Sequence, residues 1–353
     1  MTNPPTIKGQ IFSAEEKEFA RKNHTLLMVS PCVSKRCNFF CPFCYSSSGG
    51  RQINGNRMDL NEYERVIDEA RGVGAKTVRF AGWGEPFCDE FFYDESTESF
   101  PLIDYANKLG LYVVCFTNGS KITKQIARNL VDRDVSIIAK MNSFAKSVQD
   151  KIVGKKGAFE MMQRGIRNLL DVGFNRYDPP RLGVESIISK YNYEELPTLY
   201  SWLRRQNIIP YFEMVMHGGR GRHFEKLISK TEARSLFEKL LDIDEREFGF
   251  SWFPVPPYVG FPCDKLYYNL VVSDHGECYP CYGIDINLGN VREKSLKEIL
   301  QNSELGNIRN VKNLMHGNCS KCRHHDKCEF GCRCDAYNMG DIYGDYTMCW
   351  HEG

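Results

Sequence analysis

Near the amino end three cysteines stand close together as Cys37-x3-Cys41-x2-Cys44, and Tyr45 follows directly after the third. Three thiolates at this spacing can grip one metal centre. A structural zinc ion takes four protein ligands. A cubane [4Fe–4S] cluster has four irons, so three cysteines leave one iron open to a ligand from outside the protein. A second field of cysteines fills the carboxyl end. It runs Cys263-x12-Gly276-x4-Cys281, then Cys319-x2-Cys322-x5-Cys328-x3-Cys332, and ends at Cys349. Of the 15 cysteines, six lie from Cys32 to Cys115 and nine from Cys263 to Cys349, which suggests two metal-bearing regions around a scaffold. Degenerate zinc knuckles and ribbons compete as readings of the two fields.

Composition narrows the classes. Net charge is +1, from 46 basic and 45 acidic side chains, so nothing suggests a polyanion-binding surface and nucleic acid is excluded as a partner. No apolar run approaches the roughly 20 residues needed to cross a bilayer, so no membrane partner is expected. The first 24 residues carry no apolar segment of the secretory kind. A cytoplasmic protein is therefore expected, where thiols serve metals or catalysis rather than disulfides. The 353 residues, 42% apolar and 26% charged, suit one large globular domain or two modest ones.

The elements that must position these cysteines alternate. Residues 1–24 read as a lead-in helix with Ser13 as N-cap. Strands are predicted over Thr25–Ser30, Thr77–Ala81, Leu111–Thr117, Val135–Lys140, Leu182–Ile188 and Ile208–Met216. Helices fall between them at Leu60–Arg71, Phe100–Leu109, Lys121–Leu130, Ala158–Val172 and Glu194–Gln206. This alternation implies parallel β/α units, and six units are too few to close an eight-stranded barrel. The fold class is α/β: a partial (β/α)6 barrel over 25–240, then a cysteine-rich domain over 241–353. The acidic Asp242–Phe250 and the proline-rich run after it mark the boundary. The three-cysteine loop follows the first strand, Gly82-Trp83-Gly84-Glu85-Pro86 the second, and Asn118 the third, where β/α barrels carry their chemistry.

The Cys37, Cys41, Cys44, Tyr45 pattern resembles the radical S-adenosylmethionine (SAM) superfamily. That resemblance implies a [4Fe–4S] cluster whose open iron binds SAM, and cleavage of SAM to a 5′-deoxyadenosyl radical that takes a hydrogen atom from the substrate. The second cysteine field resembles the SPASM domain, an extension of one radical SAM branch with two auxiliary Fe–S clusters. By that resemblance Cys319, Cys322, Cys328 and Cys349 hold the outer auxiliary cluster and Cys263, Cys281 and Cys332 the inner one. Either Cys278 is the fourth inner ligand, being three residues from Cys281, or the inner cluster keeps an open iron that could bind substrate. Cys334 is taken as a bystander.

The resemblance also implies SAM contacts. Gly82, Trp83, Gly84 and Glu85 resemble the family's glycine-rich motif that receives the SAM ammonium group, with Trp83 where glycine is usual. Tyr45, Asn118, Lys140, Asn142 and Ser143 are further candidates. Glu185, Ser186 and Glu213 lie on strands and could face the lumen, with His217 and Arg220 at a strand exit. Glu213 and Cys115, the latter as a hydrogen-atom donor, are catalytic candidates. So is Tyr282, at the position where sulfatase-maturing relatives carry an aspartate base.

Two enzyme substrates compete. Only 36 residues precede Cys37, too few for the leader-binding domain of many peptide-modifying relatives. The favoured expectation is therefore a small polar metabolite, a sugar or aminocyclitol, undergoing dehydrogenation, epimerisation or dehydration. The alternative is a peptide or protein maturase. A non-enzymatic Fe–S electron carrier is the third reading, which the one-ligand-short first motif argues against. A reductase such as flavodoxin or ferredoxin is the expected electron partner.

Overall fold

The computed structural model describes residues 1–49 and 55–351. Strands β1 (Met28–Pro31), β2 (Thr77–Phe80), β3 (Tyr112–Thr117), β4 (Ser136–Lys140), β5 (Leu182–Ile188) and β6 (Ile209–Met214) pair in sequence order, all parallel. The helical layer comprises α1 (Ala14–Lys22), α2 (Leu60–Gly72), α3 (Pro101–Lys108), α4 (Lys124–Asp132), α5 (Lys146–Val153), α6 (Ala158–Asp171), α7 (Leu196–Arg205) and α8 (Lys230–Ile243). Local chemistry sets the helix starts. Ser13 with Glu16, Asp59 with Glu62, and Ser229 with Glu232 form reciprocal capping boxes for α1, α2 and α8. Helix α5 has no side-chain cap, its N-cap being Ala145, so no capping residue announces its start.

Strand alternation splits the core into two faces. On β3, Val113 and Cys115 join the large cluster beneath the helices, while Val114 packs on the inner face with Ile138, Ile209 and Tyr211. Ile7 of the lead-in fills that inner face, and the Gly9 carbonyl accepts a hydrogen bond from Thr77 Oγ1 at 2.6 Å.

The sheet does not stop at six strands. Strand β7 (Asn269–Val272) lies parallel to β1 on its free side, in register from Met28↔Asn269 to Pro31↔Val272, and β8 (Cys278–Tyr279) returns antiparallel to it. Gly276 makes the turn at φ +89°, where a Cβ would stand 2.6 Å from Asn290 Oδ1. This explains the fixed glycine of the C-x12-G-x4-C spacing. The carboxyl half thus extends the barrel sheet. Short helices α9 (Leu296–Ile299), α10 (Ser303–Arg309), α11 (His325–Cys328) and α12 (Arg333–Asn338) complete it.

The expected boundary after residue 240 falls inside α8, which continues through a π-helical turn at Asp244–Phe248. Asp244 is fully buried there. Its carboxylate accepts hydrogen bonds from Arg204 (Nε, 2.9 Å), Tyr200 (2.5 Å) and Trp252 (Nε1, 2.8 Å). The acidic stretch expected to mark the boundary therefore anchors the end of α8. No helix among the described residues is long and apolar enough to cross a membrane.

Candidate active site

The loop after β1 carries Cys37, Cys41 and Cys44, and the loops after β2, β3 and β6 fold around it. Arg220, beyond β6, donates from Nε to the Cys41 carbonyl (2.8 Å) and from Nη2 to the Ser48 carbonyl (2.6 Å), and its backbone amide donates to the Cys44 carbonyl (3.0 Å). Its guanidinium lies 3.9 Å from the Phe40 ring centroid. Gly218 and Gly219 let this strand exit lie flat on Tyr45, since a Cβ on Gly219 would stand 2.3 Å from the Tyr45 carbonyl oxygen. Across the loop, Gly84 sits at φ +72° with room for no side chain. A Cβ there would meet the carbonyl oxygens of Ser34 at 2.3 Å and Arg36 at 2.4 Å.

These loops enclose a cavity at the carboxyl ends of the strands, lined by Cys37, Cys41, Cys44 and Tyr45 and by Cys263, Cys281, Cys332 and Cys334 from the carboxyl half. All 15 cysteines are free thiols. Among the described residues no three Cys, His, Asp or Glu side chains converge tightly enough to hold a single metal ion. Thiols gathered around one space but held apart suit a multi-iron core, which occupies the middle and is gripped from its corners. Burial pushes Cys37 and Cys41 up to about 12. The outer set also gathers: burial pushes Cys328 up to about 12, and Cys349, Cys319 and Cys322 add to the rise as neighbouring charges.

Charge on the cavity wall is organised. Lys140 Nζ stands 3.0 Å from Glu185 Oε2. Burial works against the Lys140 ammonium, but Glu185 and Glu213 outweigh it and hold its pKa above the ordinary lysine value. Burial also opposes the Glu185 charge, and Lys140 reverses that, leaving Glu185 lowered. Burial first, and the neighbouring Glu185 second, push Glu213 well above the carboxylate range. The pair therefore holds one proton between two carboxyls, on the Glu213 side. Arg79 donates from Nε to the Tyr282 hydroxyl at 3.3 Å, and Lys265 Nζ lies 4.7 Å from the Tyr258 ring centroid. Neither cation has a carboxylate ion-pair partner among the described residues.

A family model of the radical SAM superfamily matches residues 32–203, and one of an iron–sulfur cluster-binding domain, SPASM, matches residues 263–323. The chain belongs to the radical SAM superfamily. Curated relatives include an Fe-coproporphyrin III synthase of Methanosarcina barkeri, 24% identical over 90% of this chain and 86% of its own length. An AdoMet-dependent heme synthase of Nitratidesulfovibrio vulgaris is 23% identical over 93% of each. The mycofactocin maturase MftC of Mycolicibacterium smegmatis is 26% identical over 86% of this chain and 77% of its own length. Among solved structures, Streptococcus suis SuiB bound to S-adenosylmethionine superposes with a TM-score of 0.70 at 17% identity, covering 97% of this chain and 84% of that one. The enzyme anSMEcpe with bound AdoMet gives 0.67 at 16% identity, covering 87% and 89%.

This radical SAM enzyme works with a SAM-binding [4Fe–4S] cluster and auxiliary Fe–S clusters. When bound, the first cluster and SAM supply a carbon radical able to take a hydrogen atom from substrate. The thiol sets fit such groups, by their chemistry and by their spacing around a shared void.

Several expected contacts are placed otherwise. Gly82 and Gly84 line the cavity; Trp83 does not, and packs edge-on to Tyr279 with Lys35 4.7 Å above its ring. Glu85 does line it, yet its carboxylate already accepts bonds from Thr117 Oγ1 (2.6 Å) and the Asn118 amide (2.6 Å), fastening the β2 loop to the β3 loop. Asn118 and Lys140 line the cavity. Asn142 and Ser143 do not. Asn142 Oδ1 accepts from the Ile187 amide at 2.9 Å, and the Ser143 hydroxyl donates to Glu195, so both are consumed in shaping their own loop. Cys115 lies in the core beneath the helices, on the opposite strand face from the cavity, and cannot reach a substrate there. Ser186 is buried away from the lining, with no partner for its hydroxyl among the described residues. His217 does not line the cavity; it pairs through Nδ1 at 2.7 Å with Asp335, which does. Tyr282 lines the cavity, and burial pushes its hydroxyl up to about 12, so it stands as a neutral phenol and not as the base an aspartate would be. Cys278 is fully buried in the main core, away from the other thiols. Sequence reasoning missed Arg79 and Lys265, and set aside Cys334, which lines the cavity. The first two sit inside predicted or observed apolar surroundings, and a charge there was the available signal.

Proposed function

We propose that this radical SAM/SPASM enzyme oxidises a side chain or backbone position of a peptide, acting as a maturase, with Cys37, Cys41 and Cys44 holding the SAM-binding cluster. The observation that carries the reading is one cavity lined both by those three thiols and by inner auxiliary cysteines. A hydrogen atom taken beside the first set would leave a substrate electron within the same enclosure as an acceptor. Gly82 and Gly84, with Asn118 and Lys140, form the wall where SAM would lie. Glu213 and Glu185, holding one proton between them, stand ready to exchange a proton with bound substrate. The names of similar proteins support a peptide over a sugar or aminocyclitol: a mycofactocin maturase, SuiB solved with precursor peptide SuiA, and anSMEcpe solved with the Cp18Cys peptide. An external one-electron reductase of the flavodoxin or ferredoxin kind would feed the first cluster.

A second reading has its own support. Arg79 and Lys265, cavity-wall cations without a carboxylate partner among the described residues, suit a substrate rich in carboxylates, and heme synthases are among the relatives. One experiment separates the two. The reconstituted, reduced enzyme is given SAM with synthetic peptides from short reading frames flanking its gene, or with iron coproporphyrin. Peptide-dependent release of 5′-deoxyadenosine, with loss of hydrogen from the peptide by mass, supports the maturase. Release that answers only to the porphyrin overturns it.

A further inference from the structure

The spacing C-x3-C ends at Cys332, but the chain offers a second thiol two residues on, in Cys332-Arg333-Cys334. We propose that Cys334, not Cys278, is the fourth thiolate of the inner auxiliary cluster, which Cys263, Cys281, Cys332 and Cys334 would close completely. The inference rests on the family's cluster chemistry and is independent of which substrate the enzyme takes.

Four observations converge on it. Cys263, Cys281, Cys332 and Cys334 all line the cavity, and Cys278 does not. Cys332 and Cys334 belong to one buried cluster against which Cys281 packs. The Cys334 thiol sits over the segment that follows Cys281. A Cβ on Gly283 would stand 2.4 Å from Cys334 Sγ and 2.6 Å from Met216 Sδ, so that glycine leaves room for the sulfur. The Cys334 thiol is also within hydrogen-bonding contact of both Cys281 and Cys332.

Cys278 fails for a geometric reason. It lies on β8, with its side chain turned into the core of Leu270, Val272 and Leu288, so reaching the other thiols would require that hairpin to come apart. Closest in sequence is not closest in space here. The backbone amide of Asp335 donates to Cys332 Sγ at 3.3 Å, the kind of bond that steadies a cluster thiolate. With four thiolates the inner cluster has no open iron, so substrate would meet it without being coordinated by it.

The test removes the first cluster and reads the auxiliary ones by spectroscopy. The protein carrying Cys37→Ala, Cys41→Ala and Cys44→Ala is reconstituted anaerobically, and is expected to hold about eight irons. Its reduced EPR spectrum should be unmoved by added cyanide. Adding Cys334→Ala should cost about one iron per chain, give a three-iron EPR signal on oxidation, and make the reduced spectrum respond to cyanide. Cys334→Ser, which offers an oxygen ligand and preserves the fold if alanine does not, should restore the iron with a shifted spectrum. Adding Cys278→Ala should change neither iron nor spectrum. The proposal is overturned if Cys334→Ala or Cys334→Ser leaves the spectra untouched, or if Cys278→Ala produces the three-iron signal. It is equally overturned if the parent already responds to cyanide.

Discussion

Arg220 offers the sharpest test of how the first cysteine loop is held. Sequence position made it a candidate substrate contact; the structure turns it towards the loop that carries Cys41 and Cys44. Arg220→Met keeps the stem over Phe40 and removes two bonds, to the carbonyls of Cys41 at 2.8 Å and Ser48 at 2.6 Å. Hydrogen bonds from a charged donor contribute about 1.5–3 kcal/mol each. The arginine is only half-buried, so the lower figure applies to both, and the loop loses about 3 kcal/mol of local stability. That corresponds to a rise of roughly two orders of magnitude in local opening. Hydrogen–deuterium exchange on the apoprotein should show this over residues 37–48, with the strands β1 to β6 unchanged. Iron incorporation at the first site should fall in parallel. If exchange over the loop moves by less than about threefold and iron content matches wild type, the clamp argument is wrong. A variant with full iron that only binds substrate more weakly would return Arg220 to the role first expected of it.

Gly84→Ala should remove the first cluster selectively, because left-handed backbone costs a non-glycine residue roughly 1 kcal/mol and the new Cβ would overlap the carbonyls of Ser34 and Arg36. Anaerobic reconstitution should then lose about four irons per chain, and retention of all of them would contradict the packing. Glu213 keeps a proton that the unfolded chain releases, so wild-type stability falls as pH rises above 4.5 towards its raised folded value. Glu213→Gln should therefore gain melting temperature over wild type progressively from about pH 5 to pH 8, and a gap that shrinks instead would refute the assignment of the proton. Asp244→Ala leaves Arg204, Tyr200 and Trp252 without their common acceptor. Removing one side of such a buried pair costs about 3–5 kcal/mol, to be read by urea denaturation, and a loss below about 1 kcal/mol would mean the pair acts as a surface contact.

Much of this was legible in the chain. Cysteine spacing is a local pattern, and the six strands announced themselves as apolar runs between helical periods, so the three-thiol loop and the parallel β/α units followed from residues, while the grouping of Cys263, Cys281 and Cys332 came from the resemblance to the SPASM domain. What misled was the step from chain distance to spatial distance. Cys278 is near Cys281 along the chain, but strand alternation turns it into the core, while Cys334 arrives from α12 more than fifty residues later. Asn142 and Ser143 looked available because their acceptors and donors, Ile187 and Glu195, come from elements that only the fold brings near. The acidic stretch at the end of α8 looked like a domain boundary because the partners of Asp244 are equally remote. The peptide alternative stood second because it was weighed on the residues ahead of Cys37, whereas the similar proteins favour it.

The ladder between β1 and β7 has a consequence for electron flow. The first thiol trio hangs from the end of β1, and the inner cysteines bracket β7, its immediate neighbour in the same hydrogen-bonded sheet. Two redox centres borne on adjoining rungs cannot drift apart as they could across a hinged pair of lobes. The spacing between the two thiol sets is thus set by the shared sheet and not by a hinge between lobes.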